Sequence, residues 1–158
     1  MKILVCTVFI LWTLSLKAQY YYKDIVTTLE TNRQLNYYIK NKVQTVTATG
    51  YDAQGQKDPD FSEVQQWLPN SNTLKITTQN DQSAPAVIMQ VFDSSFRLIQ
   101  ITDSAADVSG TTTYRYDEAG RLALIKNFTA DSSQSIKESE EHQWVYNEKG
   151  MPVKMLRI

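Results

Sequence analysis

From residue 43 onward, apolar and polar residues alternate with a period of two, in short runs separated by turn-forming residues. Successive strand side chains point to opposite faces, so such runs fit a half-buried sheet; helical apolar positions recur every three or four residues instead. The runs fall at 43–47, 73–77, 86–92, 97–102, 111–116, 121–128, 142–146 and 153–158, and are rich in Thr, Val, Ile and aromatics. Links such as 68–72, 103–110 and 130–139 are polar and rich in turn-forming residues, which favours antiparallel neighbours over parallel βαβ units. The expectation is a mainly β chain of eight or nine strands in an antiparallel meander, as a single curved sheet or an open barrel or sandwich.

One short amphipathic helix is expected ahead of the strands. Thr31-Asn32-Arg33-Gln34 has the form of a capping box, and Leu35, Tyr38 and Ile39 follow at helical spacing, which places the helix at about 31–41. A turn around 24–29 would precede it, and the helix would plug a sheet face or edge.

The turns repeat. Tyr116-Asp117-Glu118-Ala119-Gly120-Arg121-Leu122 follows Tyr114, and Tyr146-Asn147-Glu148-Lys149-Gly150 follows Trp144 in the same way. Phe92-Asp93-Ser94-Ser95-Phe96-Arg97-Leu98 is an eroded copy, and Tyr51-Asp52-Ala53-Gln54-Gly55 a partial one. A type I turn closed by a one-residue bulge favours Asp or Asn first, because its side chain accepts from backbone N–H groups further on. The fourth residue needs positive φ, which Gly adopts without steric cost. Asp117 with Gly120, and Asn147 with Gly150, supply this pair, so each motif reads as a tight hairpin. The simplest register sets Tyr116 opposite Arg121, Tyr146 opposite Met151, Trp144 beside Val153 and His142 beside Met155. In the middle hairpin it leaves Leu122 and Leu124 across the sheet from Tyr114 and Tyr116, a conflict over which face is buried.

The run Tyr114-x-Tyr116-Asp117-x-x-Gly120-Arg121-Leu122 resembles the YD repeat of RHS-type surface and secreted bacterial proteins. The likeness is close at 114–122, good at 144–150 and degenerate at 92–98, and it touches about 86–158. It implies side-by-side β-hairpins in an exported protein, and it does not imply toxin activity. The chain is also similar to small exported proteins of Gram-negative bacteria whose longer members add hairpins. The last residues, Met155-Leu156-Arg157-Ile158, fall within a strand pattern. An N-terminal fragment of a longer member, an open edge strand and a complete chain with a docked edge strand are the readings that stay open.

Residues 1–18 read as a secretory signal peptide: Lys2, an apolar run over 3–16, then Lys17-Ala18 before a polar-aromatic switch. The run is short of the ~20 residues that cross a bilayer, so no membrane span is expected after cleavage. The remaining 19–158 form a single β-rich domain with 14 basic against 17 acidic residues, a balance that excludes nucleic-acid binding through bulk charge. Cys6, the one cysteine, lies in the leader, so disulfides and thiolate sites are excluded from the mature chain.

Chemistry is sparse. His142 is the one histidine and reads as a strand residue beside Glu140 and Glu141; Glu138, Glu140 and Glu141 read as a solvated cluster. Asp58 and Asp60 around Pro59, and Asp103 with Asp107, read as turn residues without the spacing of a calcium loop. No Gly-rich phosphate loop or hydrolase motif occurs, so neither catalytic residues, cofactor nor metal are expected. Trp67, Trp144 and Tyr114 are the candidate aromatic contacts to a ligand, against the alternative of cross-strand packing. The functional expectation is an exported structural or binding protein of the periplasm, outer envelope or extracellular space. Its partner would be a glycan, peptide or lipid, or a second copy through the C-terminal edge. A periplasmic carrier of an apolar ligand under the helix is the alternative, and a carbohydrate-active enzyme the least favoured reading.

Overall fold

The computed structural model describes residues 18–80, 84–104, 108–131 and 137–158; the expected signal peptide lies outside them, apart from Ala18. A helix, α1 (Ala18–Lys40), is followed by nine strands: β1 (Thr45–Tyr51), β2 (Lys57–Leu68), β3 (Thr73–Asn80), β4 (Ala86–Phe92), β5 (Leu98–Ser104), β6 (Val108–Tyr116), β7 (Leu122–Asp131), β8 (Lys137–Tyr146) and β9 (Pro152–Arg157). They form one open antiparallel sheet in chain order, β1 to β9, which is the expected meander. A single 3-10 turn, Pro69–Ser71, joins β2 to β3.

The helix differs from expectation at its start. It is already formed at Ala18, and Thr31 lies inside it, with its hydroxyl donating to the Thr27 carbonyl (3.0 Å) instead of capping an N-terminus. Residues 20–28 are dense in Tyr, Ile, Val and Thr, which lowers local helix propensity and conceals this half. Packing overrides the propensity: Thr28 is buried with its hydroxyl returned to the Asp24 carbonyl (2.7 Å), and Ile25 packs on the sheet. The end agrees with expectation. Lys42 takes a left-handed conformation (φ 56°), and Val43 and Lys42 donate to the Tyr38 and Ile39 carbonyls, a Schellman stop.

β2 is the other addition, and it includes Asp58, Pro59 and Asp60, expected as a turn. Asp58 Oδ1 does accept from the Asp60 N–H (2.9 Å), so the local turn chemistry sits at the start of a strand.

α1 crosses one face of the sheet, over the end that carries the 93–97, 117–121 and 147–151 turns. Its first half meets β8 through Asp24, its middle meets β5 and β6 through Asn32, and its last turns meet β2 through Tyr38. Two apolar clusters fill the space beneath. Leu35 (0% exposed), Leu74, Phe92 and Leu98 (1%) form one, and Leu122, Ile125 and Trp144 form the other; Tyr114 packs against both. The opposite face is mixed: Thr47, Lys75, Gln100, Thr111, Thr113 and an ion pair between Lys126 and Glu141 (2.6 Å) share it with Val64, Met89, Val91, Leu124 and Phe128. Alternate residues of each strand face the helix, which gives the sequence its period of two.

The observed register corrects the expected one. Tyr116 lies opposite Leu122 and Tyr146 opposite Pro152, because the turns close on Arg121 and Met151. One further residue is then inserted, so Arg115 faces Leu124, Trp144 faces Met155 and His142 faces Arg157. This bulge brings Leu122 and Ile125, three residues apart, to the helix side together with Tyr114 and Tyr116, and the conflict over the middle hairpin disappears.

Candidate functional site

The four turns adopt the expected backbone. Gly55, Gly120 and Gly150 each sit at φ +75°, and Phe96 takes the same left-handed region at φ 57°. Within each turn the fourth residue donates to the carbonyl of the first, and the first donates to the carbonyl of the fifth. Asp117 Oδ1 accepts from the Arg121 N–H (2.8 Å), and Asn147 Oδ1 from those of Lys149 and Met151 (3.0 and 2.9 Å).

Three of these turns share one end of the sheet, and there a side-chain stack runs from hairpin to hairpin. The Arg97 guanidinium is forked onto Asp93 Oδ2 through Nε and Nη2 (2.8 Å each) and lies over the Tyr116 ring, 4.7 Å from its centroid. Arg121 repeats this one hairpin later, forked onto Asp117 (2.7 Å each) and 4.5 Å from the centre of the Tyr146 ring. Each tyrosine in turn donates its hydroxyl to the preceding hairpin: Tyr116 to the Leu98 carbonyl (2.8 Å) and Tyr146 to the Leu122 carbonyl (2.7 Å). Asn32 of α1 completes the first step, accepting from the Leu98 N–H (2.8 Å). The sheet irregularity beside Leu98 frees these backbone groups, and buried backbone groups need partners.

The electrostatics follow. Burial alone would raise the Asp93 carboxyl, but hydrogen bonds from Arg97 and Ser95 outweigh it and hold the group below the usual carboxylate range. Asp117 is lowered chiefly by the Arg121 backbone N–H, and then by its guanidinium. Burial raises the Tyr116 and Tyr146 hydroxyls. Tyr114, deepest of the three, is pushed up to about 12 by burial and then by the Asp24 charge.

A second cluster ties α1 to the far end of the sheet. His142 is buried, with Nδ1 2.8 Å from Asp24 Oδ2 and Nε2 against Glu140, which is itself gripped by Arg157 Nε and Nη2 (2.6 and 2.7 Å). Arg157 and then His142 hold the Glu140 carboxyl below its ordinary range. A carboxylate only accepts, so each imidazole–carboxylate contact needs its own proton on the ring or on the acid. Both ring nitrogens are thereby engaged, and His142 presents neither a lone pair nor a free N–H to a substrate. The three groups meet pairwise and not around a common point, and no cluster suited to a metal ion occurs among the described residues. Glu141 points to the other face, onto Lys126, as strand alternation requires.

The candidate aromatic contacts pack against the apolar clusters, Trp144 buried and Trp67 and Tyr114 half-buried. Trp144 is 6% exposed and edge-on to His142 (5.9 Å); Trp67 is half-buried and edge-on to Phe92 (6.2 Å); Tyr114 bridges the two clusters. The structure brings Trp144 and Tyr114 into one cluster through Leu122 and Ile125, while Trp67 belongs to the other. Asp103 lies on β5, and Asp107 lies outside the described residues. The Asp24–His142 contact, 118 residues apart, had no local sequence signal beyond an acidic residue on the helix.

The molecule is thus an open antiparallel meander closed on one face by a helix, with its charged and aromatic turn residues stacked on one another. Comparison of the chain with protein-family models, curated proteins and solved structures found no match.

Proposed function

We propose that the chain is an exported, non-catalytic binding module of the bacterial envelope or extracellular space, built from YD-like hairpins. The observation that carries this reading is the arginine–tyrosine stack. Asp, Arg and Tyr, the residue types that could do chemistry at the turns, are bonded to and stacked on one another across three hairpins, which suits a scaffold. The engagement of both His142 nitrogens supports the absence of catalysis. Leu35 and Leu98 fill the space beneath the helix, which favours a surface binder over a carrier holding an apolar ligand there. The apolar run over 3–16 followed by Ala18 supports export.

Expression of the full chain with a C-terminal tag in a Gram-negative host tests the proposal. The expected product lies outside the cytoplasm, lacks about the first 18 residues, and turns over none of a panel of glycosides and esters. A full-length cytoplasmic product overturns the export half, and turnover that survives purification overturns the non-catalytic half.

A further inference from the structure

α1 is apolar on two sides. Ile25, Thr28, Leu35 and Ile39 face the sheet, as its packing requires. Tyr22, Val26, Leu29 and Tyr37 lie on the opposite side at helical spacing and are 43–57% exposed. From Tyr22 to Tyr37 this second stripe runs roughly 22 Å along the helix axis. Arg33 and Lys40 fall on the same line, and Lys23 and Lys42 flank it; all four are exposed, with Glu30 the one acidic neighbour on that side. The stripe therefore concentrates positive charge on a chain that is otherwise acidic once its leader is set aside.

We propose that this stripe is a membrane-surface docking face that seats α1 flat on an anionic phospholipid bilayer. The charge is complementary to such a surface. Tyrosines at both ends, valine and leucine between them and basic residues along the line form the pattern of an interfacial helix. The helix lies on the bilayer and does not cross it: no described helix is long and apolar enough to span a membrane. The apolar run over 3–16 ends two residues before Ala18, which places α1 directly after the segment that an exported chain threads through the membrane. In that respect the inference rests on the export reading and deepens it by naming the partner. The sheet, attached through Leu35, Asn32 and Asp24, would then stand with its helix-free face away from the lipid.

Co-sedimentation with vesicles tests this, using the full chain as cells produce it, so that the leader, retained or removed, is common to every variant. The wild type is expected to bind vesicles of phosphatidylethanolamine and phosphatidylglycerol, and to bind phosphatidylcholine vesicles at least tenfold more weakly. Val26→Glu/Leu29→Glu, which changes two exposed side chains, is expected to need at least tenfold more lipid for half-saturation. Arg33→Glu/Lys40→Glu keeps the apolar atoms and is expected to lose the preference for the anionic vesicles, at about fivefold per basic residue. Circular dichroism checks that each variant is folded, and the charge variant carries the test if the other is not. Equal binding by wild type and both variants, or no binding by the wild type, overturns the inference. So does a lipid-free dimer that Val26→Glu/Leu29→Glu dissolves, which would assign the stripe to a second copy. A cytoplasmic product in the expression experiment ends the export reading alone, whereas an exported protein that ignores vesicles ends this one alone.

Discussion

The turn at Asp52–Gln56 and the turn at Asp117–Arg121 have the same backbone and different fates. Both close with a Gly at φ +75° and an Asp side chain that caps N–H groups two and four residues on, or four on. Yet Tyr51 is 68% exposed, and Tyr116 is half-buried with its hydroxyl on Leu98. Two differences separate them. In a meander alternate turns lie at opposite ends, and Asp52–Gln56 lies at the end away from 93–97, 117–121 and 147–151. Gln56 and Lys57 also replace the Arg-Leu that follows at 97–98 and 121–122. The lesson is a division of labour: Tyr-Asp-x-x-Gly specifies a turn, and the Arg-Leu after it joins that turn to the next hairpin. The 147–151 turn confirms the division from the other side, because it has the turn residues but ends in Met151-Pro152, and Met151 is exposed. Proline there suits an edge strand, where its missing N–H breaks no sheet bond.

The comparison can be broken most forcefully at the residue after the turn. Leu98→Ala should destabilise by about 3 kcal/mol, as a fully buried leucine does, while Lys57→Ala at the matching position should stay within about 0.5 kcal/mol by urea unfolding. Equal effects would dissolve the distinction. Asp93→Ala should cost about 1.5 kcal/mol and Asp52→Ala about half as much, since only Asp93 also holds an arginine; solvent screening keeps both modest. Gly55→Ala and Gly120→Ala sharpen the comparison, because both positions need positive φ and both should lose about 1 kcal/mol. A smaller effect, below about 0.5 kcal/mol, is expected for Gln56→Arg, which places an arginine where no tyrosine waits.

The paired carboxylates and the buried Tyr114 set a pH response with two arms. Asp93, Asp117 and Glu140 have folded pKa values below their unfolded ones, so their contribution is present above about pH 4 and fades as pH falls through the lowered values. Tyr114 is shifted the other way, and its contribution is whole below pH 10 and lost as pH rises through about 12. Thermal melts across pH should show a plateau between these arms. A protein whose stability is flat from pH 2 to 5 would contradict the carboxylate assignments.

Much of the sheet was readable because its signals are local. Alternation at 86–92 or 111–116 marks strands, and Asp117 with Gly120 marks a turn, within a few residues each. What was hidden depends on contacts distant in sequence. The first half of α1 is made helical by burying Ile25 and Thr28 against a sheet built from residues much later in the chain. The bulge beside Leu122 leaves no trace in a period-two pattern, yet it moves Leu122 and Ile125 onto one face. His142 read as a plain strand residue because both Asp24 and Arg157, which complete its cluster, come from other elements. Arg97 and Arg121 were visible as part of a motif, but their stacking on the next hairpin's tyrosine needs the sheet order itself.

The most direct test of the stack is a double-mutant cycle of Arg121→Met and Tyr146→Leu, read by urea unfolding. Met is the residue that already follows the 147–150 turn, so the substitution keeps a length the sheet accommodates. A coupling of about 0.5–1 kcal/mol between the two positions is expected if the guanidinium over the ring joins the hairpins. Additivity within about 0.3 kcal/mol would contradict it.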